Sequence, residues 1–230
     1  MSDIPKTTLF MLMSLDGKIS TGADDDRDFD KDLPNIPGVL EGLKQYDDLE
    51  QQTDLCSFNT GKVMAKVGWN EEKTDIQKIP VTFVIIDNKP HLTSRGVSNL
   101  CKRTEKLYLV TTNPRHPART CTDANLEVVF IEGDINFTEL FTQLAQAGIE
   151  NMTIQSGGEM NSLLMREGLI QNISLVIAPM VVGGKDTPTL VDGPSLITGA
   201  DLQFVKSLKL VEVIQLEDSY LHLRYKVLNS

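Results

Sequence analysis

The sequence predicts an α/β protein: a mixed, mostly parallel sheet flanked by helices and closed by an antiparallel hairpin at the C-terminal end. Three observations predict it. Residues 7–13 form a run that is apolar after its two threonines, as a strand buried on both faces requires, and it delivers polar Ser14, Asp16 and Lys18 at its carboxyl end. Residues 152–184 read as strand, glycine turn, helix and strand. Residues 208–216 and 220–227 are two strand-like runs joined at Glu217-Asp218-Ser219.

The elements between follow in order. Val39, Leu40, Leu43, Tyr46 and Leu49 recur at helical spacing behind Pro37, which predicts a first helix over 37–52. Short apolar runs predict strands at 55–58, 81–86, 106–112 and 126–131, with helices at 94–103 and 137–147. Residues 152–154 are apolar or β-branched and break at Gln155-Ser156-Gly157-Gly158; a helical pattern with Leu163, Leu164 and Ile170 leads through Gly168 into a buried strand over 173–182. In the last run Leu221, Leu223 and Tyr225 alternate with His222, Arg224 and Lys226, which predicts one buried and one wet face. The acidic segment 22–37, with Asp24, Asp25, Asp26, Asp28 and Asp30, reads as a solvated loop. Its place between the Asp16 rim and the first helix also suits a substrate lid.

Composition narrows the function. With 230 residues, 40% of them hydrophobic, the chain can bury one substantial core, so a single domain over 1–230 is expected. A net charge of -10 with no offsetting basic stripe disfavours nucleic acid as a partner. No apolar run approaches a bilayer span, and Met1-Ser2-Asp3 lacks the features of a signal peptide, so a cytoplasmic protein is expected. Cys56, Cys101 and Cys121 are odd in number and widely spaced, and His91, His116 and His222 are scattered; neither set has metal-ligand spacing. Cys56 is expected to be simply buried. The zinc deaminase signature, His-x-Glu followed by Pro-Cys-x-x-Cys, is absent.

Two places carry candidate chemistry. Gly157 and Gly158 open a helix, where free N–H groups and the helix dipole favour a phosphate, although a glycine pair equally suits a tight strand-to-helix connection. Asp16, with Ser14 and Lys18 beside it, sits at a strand rim, where a carboxylate can bind ring N–H groups or relay a proton; Asp-Gly is as often a plain turn. A dinucleotide-binding Gly-x-Gly-x-x-Gly does not follow the first strand, where Gly17 stands alone.

Ser14-Leu15-Asp16-Gly17-Lys18-Ile19, then Ser156-Gly157-Gly158 with Asn161 and Gly168-Leu169-Ile170, then Ala178-Pro179-Met180-Val181-Val182-Gly183-Gly184 occur in the order and spacing of one family. By these motifs the chain resembles the reductase domain of riboflavin biosynthesis proteins, a branch of the dihydrofolate reductase-like superfamily, along nearly its whole length. The resemblance implies a dihydrofolate reductase-like fold, hydride transfer from NADPH to a small molecule that is a pyrimidine, pterin or related heterocyclic or ribosylamino substrate, as in riboflavin biosynthesis, and a homodimer. It places catalytic work on Asp16 and Lys18 and substrate contacts on Ser14, Asp16 and Gln155. It places the nicotinamide half at Ser156, Gly157 and Gly158, and the diphosphate at Gly158 and Glu159 together with Asn59, Thr60, Gly61 and Lys62. Ser94, Arg95, Thr112 and Arg115 offer hydroxyls and guanidinium groups to the adenosine end and its 2′-phosphate. The chain departs from the family where Gln155-Ser156-Gly157 replaces Glu-Gly-Gly or Glu-Ala-Gly, where Asn59-Thr60-Gly61-Lys62 replaces Gly-x-x-Thr, and where Gln171-Asn172 replaces Asp-Glu. An Asp-Asp-Pro segment with its arginine is missing. These departures keep open a second expectation, a non-catalytic NADPH-binding protein that retains the fold without turnover.

Overall fold

The structure is a computed structural model that describes residues 3–228. Its strands are β1 (Lys6–Ser14), β2 (Cys56–Thr60), β3 (Thr82–Ile86), β4 (Lys106–Thr111), β5 (Leu126–Phe130), β6 (Asn151–Ile154), β7 (Asn172–Ala178), β8 (Leu208–Gln215) and β9 (Leu221–Val227). Its α-helices are α1 (Phe29–Asp32), α2 (Leu40–Glu50), α3 (Gly61–Lys66), α4 (Ser94–Arg103), α5 (Phe137–Gln146) and α6 (Gly158–Arg166). The chain forms two compact units, one holding Asp54–Ser156 and the other Lys6–Thr53 with the residues from 157 onward. The predicted mixed α/β class holds: parallel pairing dominates, and among the named strands antiparallel pairing is confined to β7, β9 and β8, with one isolated antiparallel bridge between Lys18 and Thr189.

The first unit orders its strands β5-β4-β3-β2-β6, all parallel. Val84, Ile85, Ile86 and Leu107, Leu109, Val110 are buried in unbroken runs because helices cover both faces of a parallel sheet. Helix α4 starts where the Thr93 hydroxyl accepts from Gly96 N at 3.2 Å, buries Val97, Leu100 and Cys101, and ends on Lys102 and Arg103, which suit its dipole. Cys56 is buried as expected, and burial pushes its thiol up to about 12.

In the second unit the order is β1-β7-β9-β8, with β1 parallel to β7 and the last two strands antiparallel. Its core joins Phe10, Leu12, Val39, Val176, Ala178 and Tyr220 with Phe29 and Leu33. Those last two correct the reading of 22–37 as a solvated loop: Phe29 in α1 and Leu33 just after it anchor the acidic segment by their apolar side chains. Strand β7 stops at Ala178, short of the expected 182, because Pro179 follows and the amides of Val182 and Gly183 bond to a side chain instead of a neighbouring strand. The predicted alternation in β9 fails at His222, which is buried with its Nε2 2.7 Å from Ser174 Oγ. The hairpin turns at Asp218 and Ser219, whose φ angles of 51° and 67° lie in the left-handed region. All eight residues of the edge strand β8 are exposed, including Leu208, Leu210, Val211, Val213 and Ile214. Among the described residues no helix is long and apolar enough to cross a membrane.

Candidate active site

Polar groups gather at the carboxyl ends of the parallel strands in each unit, where open α/β sheets bind ligands. In the second unit the rim begins at the end of β1. Gly17, at φ +79°, reverses the chain so that Gly17 N donates to Ser14 O at 3.0 Å and Ser14 N to Lys18 O at 2.9 Å. Ser14 Oγ donates to Asp16 Oδ1 at 2.5 Å and accepts from Lys18 N at 2.9 Å. The Asp16 carboxylate also accepts from Val182 N at 3.1 Å and Gly183 N at 2.7 Å. The Ser14 hydroxyl first, then the Val182 amide, hold the Asp16 carboxyl down at about 2. So depressed a carboxylate is a weak base and carries no proton to donate near neutrality, which argues against the expected proton relay and leaves Asp16 as a charged acceptor that clasps residues 182–183.

Lys18 is buried, and its Nζ donates to Thr187 O at 2.9 Å. The two segments are zipped further by Ile19 N to Pro188 O at 3.1 Å and Leu190 N to Gly17 O at 3.1 Å. An ammonium has three protons to donate, so Lys18 keeps capacity for a ligand at the rim.

The start of α6 is shaped differently from its expected phosphate cradle. A Cβ at Gly158 would overlap Asp192 Oδ2 and the Thr189 carbonyl, so the close approach that this glycine permits is to the chain itself. Asp192 N donates to Gly158 O at 3.0 Å, the Thr189 hydroxyl to Asp192 Oδ1 at 2.6 Å, and Asn161 Nδ2 to Leu190 O at 2.8 Å. Residues 187–192 thus form a strap latched on α6. Gly157 has open space around its missing side chain, and Glu159 is exposed. Cavities of about 370 and 700 Å³ are both bordered by Ser162, Arg166, Gly193 and Pro194; only Glu159 of the expected site residues borders either.

In the first unit the rim is built at the ends of β2, β3 and β4. Asn59 is buried; its Nδ2 donates to Ser57 Oγ at 3.2 Å, and Ser57 Oγ donates to Gln155 Oε1 at 3.2 Å. Asn59 Oδ1 is left without a hydrogen-bond partner among the described residues. Thr60 caps α3 by accepting from Val63 N at 3.4 Å. Ser94, Arg95 and Arg115 are exposed, Thr112 is half-buried, and neither arginine forms an ion pair among the described residues. Ser156 is buried and Lys62 exposed.

Sequence reasoning missed the group at the centre of this rim. Asp87, one residue past β3, is buried and accepts from His91 Nδ1 at 2.9 Å, Leu92 N at 2.9 Å, His91 N at 3.1 Å and His116 Nε2 at 2.9 Å. Burial works to raise its carboxyl, and the hydrogen bonds from His116, Leu92 and His91 outweigh it, so the group is held below the usual range. His116 Nδ1 accepts from Ala118 N at 3.1 Å, which leaves its proton on Nε2 for Asp87. Gly61 at the start of α3 has no room for a Cβ because the Asp87 carboxyl fills the space. The signal in the sequence was slight: an aspartate at a strand end with a histidine four residues on, across Pro90.

Parallel strands with polar groups collected at their carboxyl rims define an α/β protein built to bind small molecules there. A family model described as the RibD C-terminal domain matches residues 5–216, across both units, and the chain belongs to that family. Over 195 residues the chain is 26% identical to the 2,5-diamino-6-ribosylamino-4(3H)-pyrimidinone 5′-phosphate reductase of Archaeoglobus fulgidus, covering 80% of this chain and 84% of that one. A protein of the same name from Methanothermobacter thermautotrophicus is 39% identical over 62 residues, only 27% of this chain and 29% of the relative. The RibD structure from Acinetobacter baumannii superposes with a TM-score of 0.66 at 17% identity, covering 99% of this chain and 59% of that one, which is a likeness of fold.

Proposed function

We propose that this protein is a reductase that uses a nicotinamide dinucleotide, NADPH in preference to NADH, to reduce a ribosylaminopyrimidine phosphate of the kind named for its archaeal relatives. The observation that carries the reading is the rim after β1, inside the residues that the family model matches, where Ser14, Asp16 and Lys18 form a hydrogen-bonded loop. The nicotinamide, when bound, supplies the hydride. Asp16 fixes the loop and offers a charged acceptor to substrate N–H groups, with Ser14 and Gln155 as further polar contacts. Lys18 takes over the proton-side role first given to Asp16, because it keeps donors to spare and is held by Thr187. The first unit's rim fits a dinucleotide in two ways. Asn59 Oδ1 is a buried acceptor awaiting a donor, and Arg95 and Arg115 are exposed cations beside Ser94 and Thr112. Thr60, Gly61, Lys62, Ser156, Gly157 and Glu159 complete the proposed contacts; Gly158 serves the strap.

The test is reduction of the phosphoribosylaminopyrimidine by purified protein, followed as loss of NADPH absorbance, with Lys18→Gln expected to lower turnover about 100-fold or more. Full turnover by a folded Lys18→Gln would remove the assignment. A non-catalytic binder is the second reading, favoured by the amide of Gln155 hydrogen-bonded to Ser57 where the family carries a carboxylate. It predicts NADPH binding with no oxidation in that assay. The proposal includes a cytoplasmic homodimer: the exposed apolar edge strand β8 offers a surface that a second copy would cover. Sedimentation at micromolar concentration is expected to show the dimer, and only monomer would refute it.

A further inference from the structure

We propose that Asn161 is a positioning residue for Lys18, acting through the strap at residues 187–192. The proposal rests on the reading above, in which the Lys18 ammonium serves the proton side of the reduction. Asn161 lies in α6 with its side chain fully buried. Its Nδ2 donates to Leu190 O at 2.8 Å, and from the same residue Leu190 N donates to Gly17 O at 3.1 Å. Leu190 is thus clamped between α6 and the turn after β1. Earlier in the strap, Pro188 O accepts from Ile19 N at 3.1 Å and Thr187 O from Lys18 Nζ at 2.9 Å. Thr187 and Lys18 are both buried.

An ammonium on a flexible stem is held only as firmly as the carbonyl that accepts from it. That carbonyl belongs to a segment outside every named strand and helix, so its place depends on what grips the strap. Two grips tie the strap to α6. Asp192 N donates to Gly158 O at 3.0 Å at the far end, where the Asp192 carboxylate stiffens the turn by accepting from the Thr189 hydroxyl at 2.6 Å and Thr189 N at 3.2 Å. The Asn161 amide holds the middle, closer in the chain to Thr187. A side-chain amide suits this work because it brings a donor into the interior with no charge to desolvate. Lys18 is thereby referenced to the helix whose start the reading gives to the cofactor.

Asn161→Ala removes the donor to Leu190 O. Turnover of the phosphoribosylaminopyrimidine, KM for NADPH and the folded fraction are measured for wild type, Asn161→Ala, Lys18→Gln and the double variant, and amide hydrogen exchange is followed at Ile19 and Leu190. We expect Asn161→Ala to lower kcat per folded molecule about tenfold, to leave KM for NADPH within about twofold, and to speed exchange at both amides. In the Lys18→Gln background the same change should alter kcat by less than about twofold, because the group it positions is already gone. Thr189→Val is the second handle on the strap, for the case that Asn161→Ala does not fold. It removes only the hydroxyl that Asp192 holds, and a kcat loss of about threefold that vanishes in the Lys18→Gln background is expected. Equal losses in both backgrounds overturn the proposal and leave the reductase reading standing. So does full turnover by folded Asn161→Ala, or by Thr189→Val where Asn161→Ala does not fold. Full turnover by Lys18→Gln removes the group to be positioned and this proposal with it. Wild-type protein that oxidises no NADPH overturns the reductase reading and, with it, this one.

Discussion

Asp16 and Asp87 each stand just past the end of a parallel strand, each accepts several hydrogen bonds, and each is held below the usual carboxylate range, yet they do different work. Asp16 lies at the surface and clasps a hydroxyl and two amides of a distant turn. Asp87 is shut inside its unit and aims two imidazoles. The comparison teaches that a depressed carboxylate at a strand end is no sign of acid–base chemistry by itself. What it binds decides: a hydroxyl and amides of a distant turn make it a clasp, and imidazoles from two loops make it a buried hub.

The largest expected effect is at the buried member. Asp87→Ala strands the donors of His116 and Leu92 in the interior, releases His91 and removes the carboxyl on which Gly61 packs, so it should cost about 3 kcal/mol or more. Urea denaturation measures it. A loss under 1 kcal/mol would mean that the three loops are held by something other than this carboxylate.

Next in size is a glycine contrast that tests what the turn before α6 is for. Gly158→Ala drives a methyl into Asp192 and the Thr189 carbonyl and should destabilise by about 1–3 kcal/mol. Gly157→Ala meets open space and should leave stability within about 0.5 kcal/mol. If the Gly157 side of the turn receives the cofactor, only that variant combines normal stability with weakened NADPH binding. Normal stability in Gly158→Ala would show that the strap yields easily.

Much of this could be read in the sequence because the signals were local. The buried run before Ser14, the helix over 94–103 and the hairpin around Asp218 depend on neighbours within a few residues, and the observed bounds differ by only a residue or two. Only half of the early end of β7 was legible: Pro179 is a local stop, but the fate of 182–183 depends on Asp16, more than 160 positions away, capturing their amides. The Asp87 group was not legible, because His91 and His116 look scattered along the chain and meet only when β3 and β4 pair. Gly158 misled for the opposite reason: the motif was real, but Asp192 and Thr189, some 30 residues on, fill the space that the motif suggests for a ligand.

The smallest and most discriminating effect concerns Asp16. As an anchor, Asp16→Asn should keep turnover within about threefold and act on substrate affinity, because the amide retains one acceptor but turns an N–H toward a backbone amide. As a proton relay it would lower turnover by about 100-fold or more with substrate affinity little changed. The sign of the pH dependence follows from a folded value of about 2 against an ordinary value near 3.8. The carboxylate favours the folded state more than its protonated form does, so its stabilisation is present above about pH 4 and is lost as pH falls toward 2. Hydrogen exchange at the Gly183 amide reads this locally, since that N–H donates to Asp16 at 2.7 Å. With allowance for the intrinsic pH dependence of exchange, protection in the wild type should fall between pH 4 and 2. In Asp16→Asn it should be low and flat across the same window. Protection that persists in the variant would mean that residues 182–183 are held by the turn itself, and Asp16 would then be free for a role at the substrate.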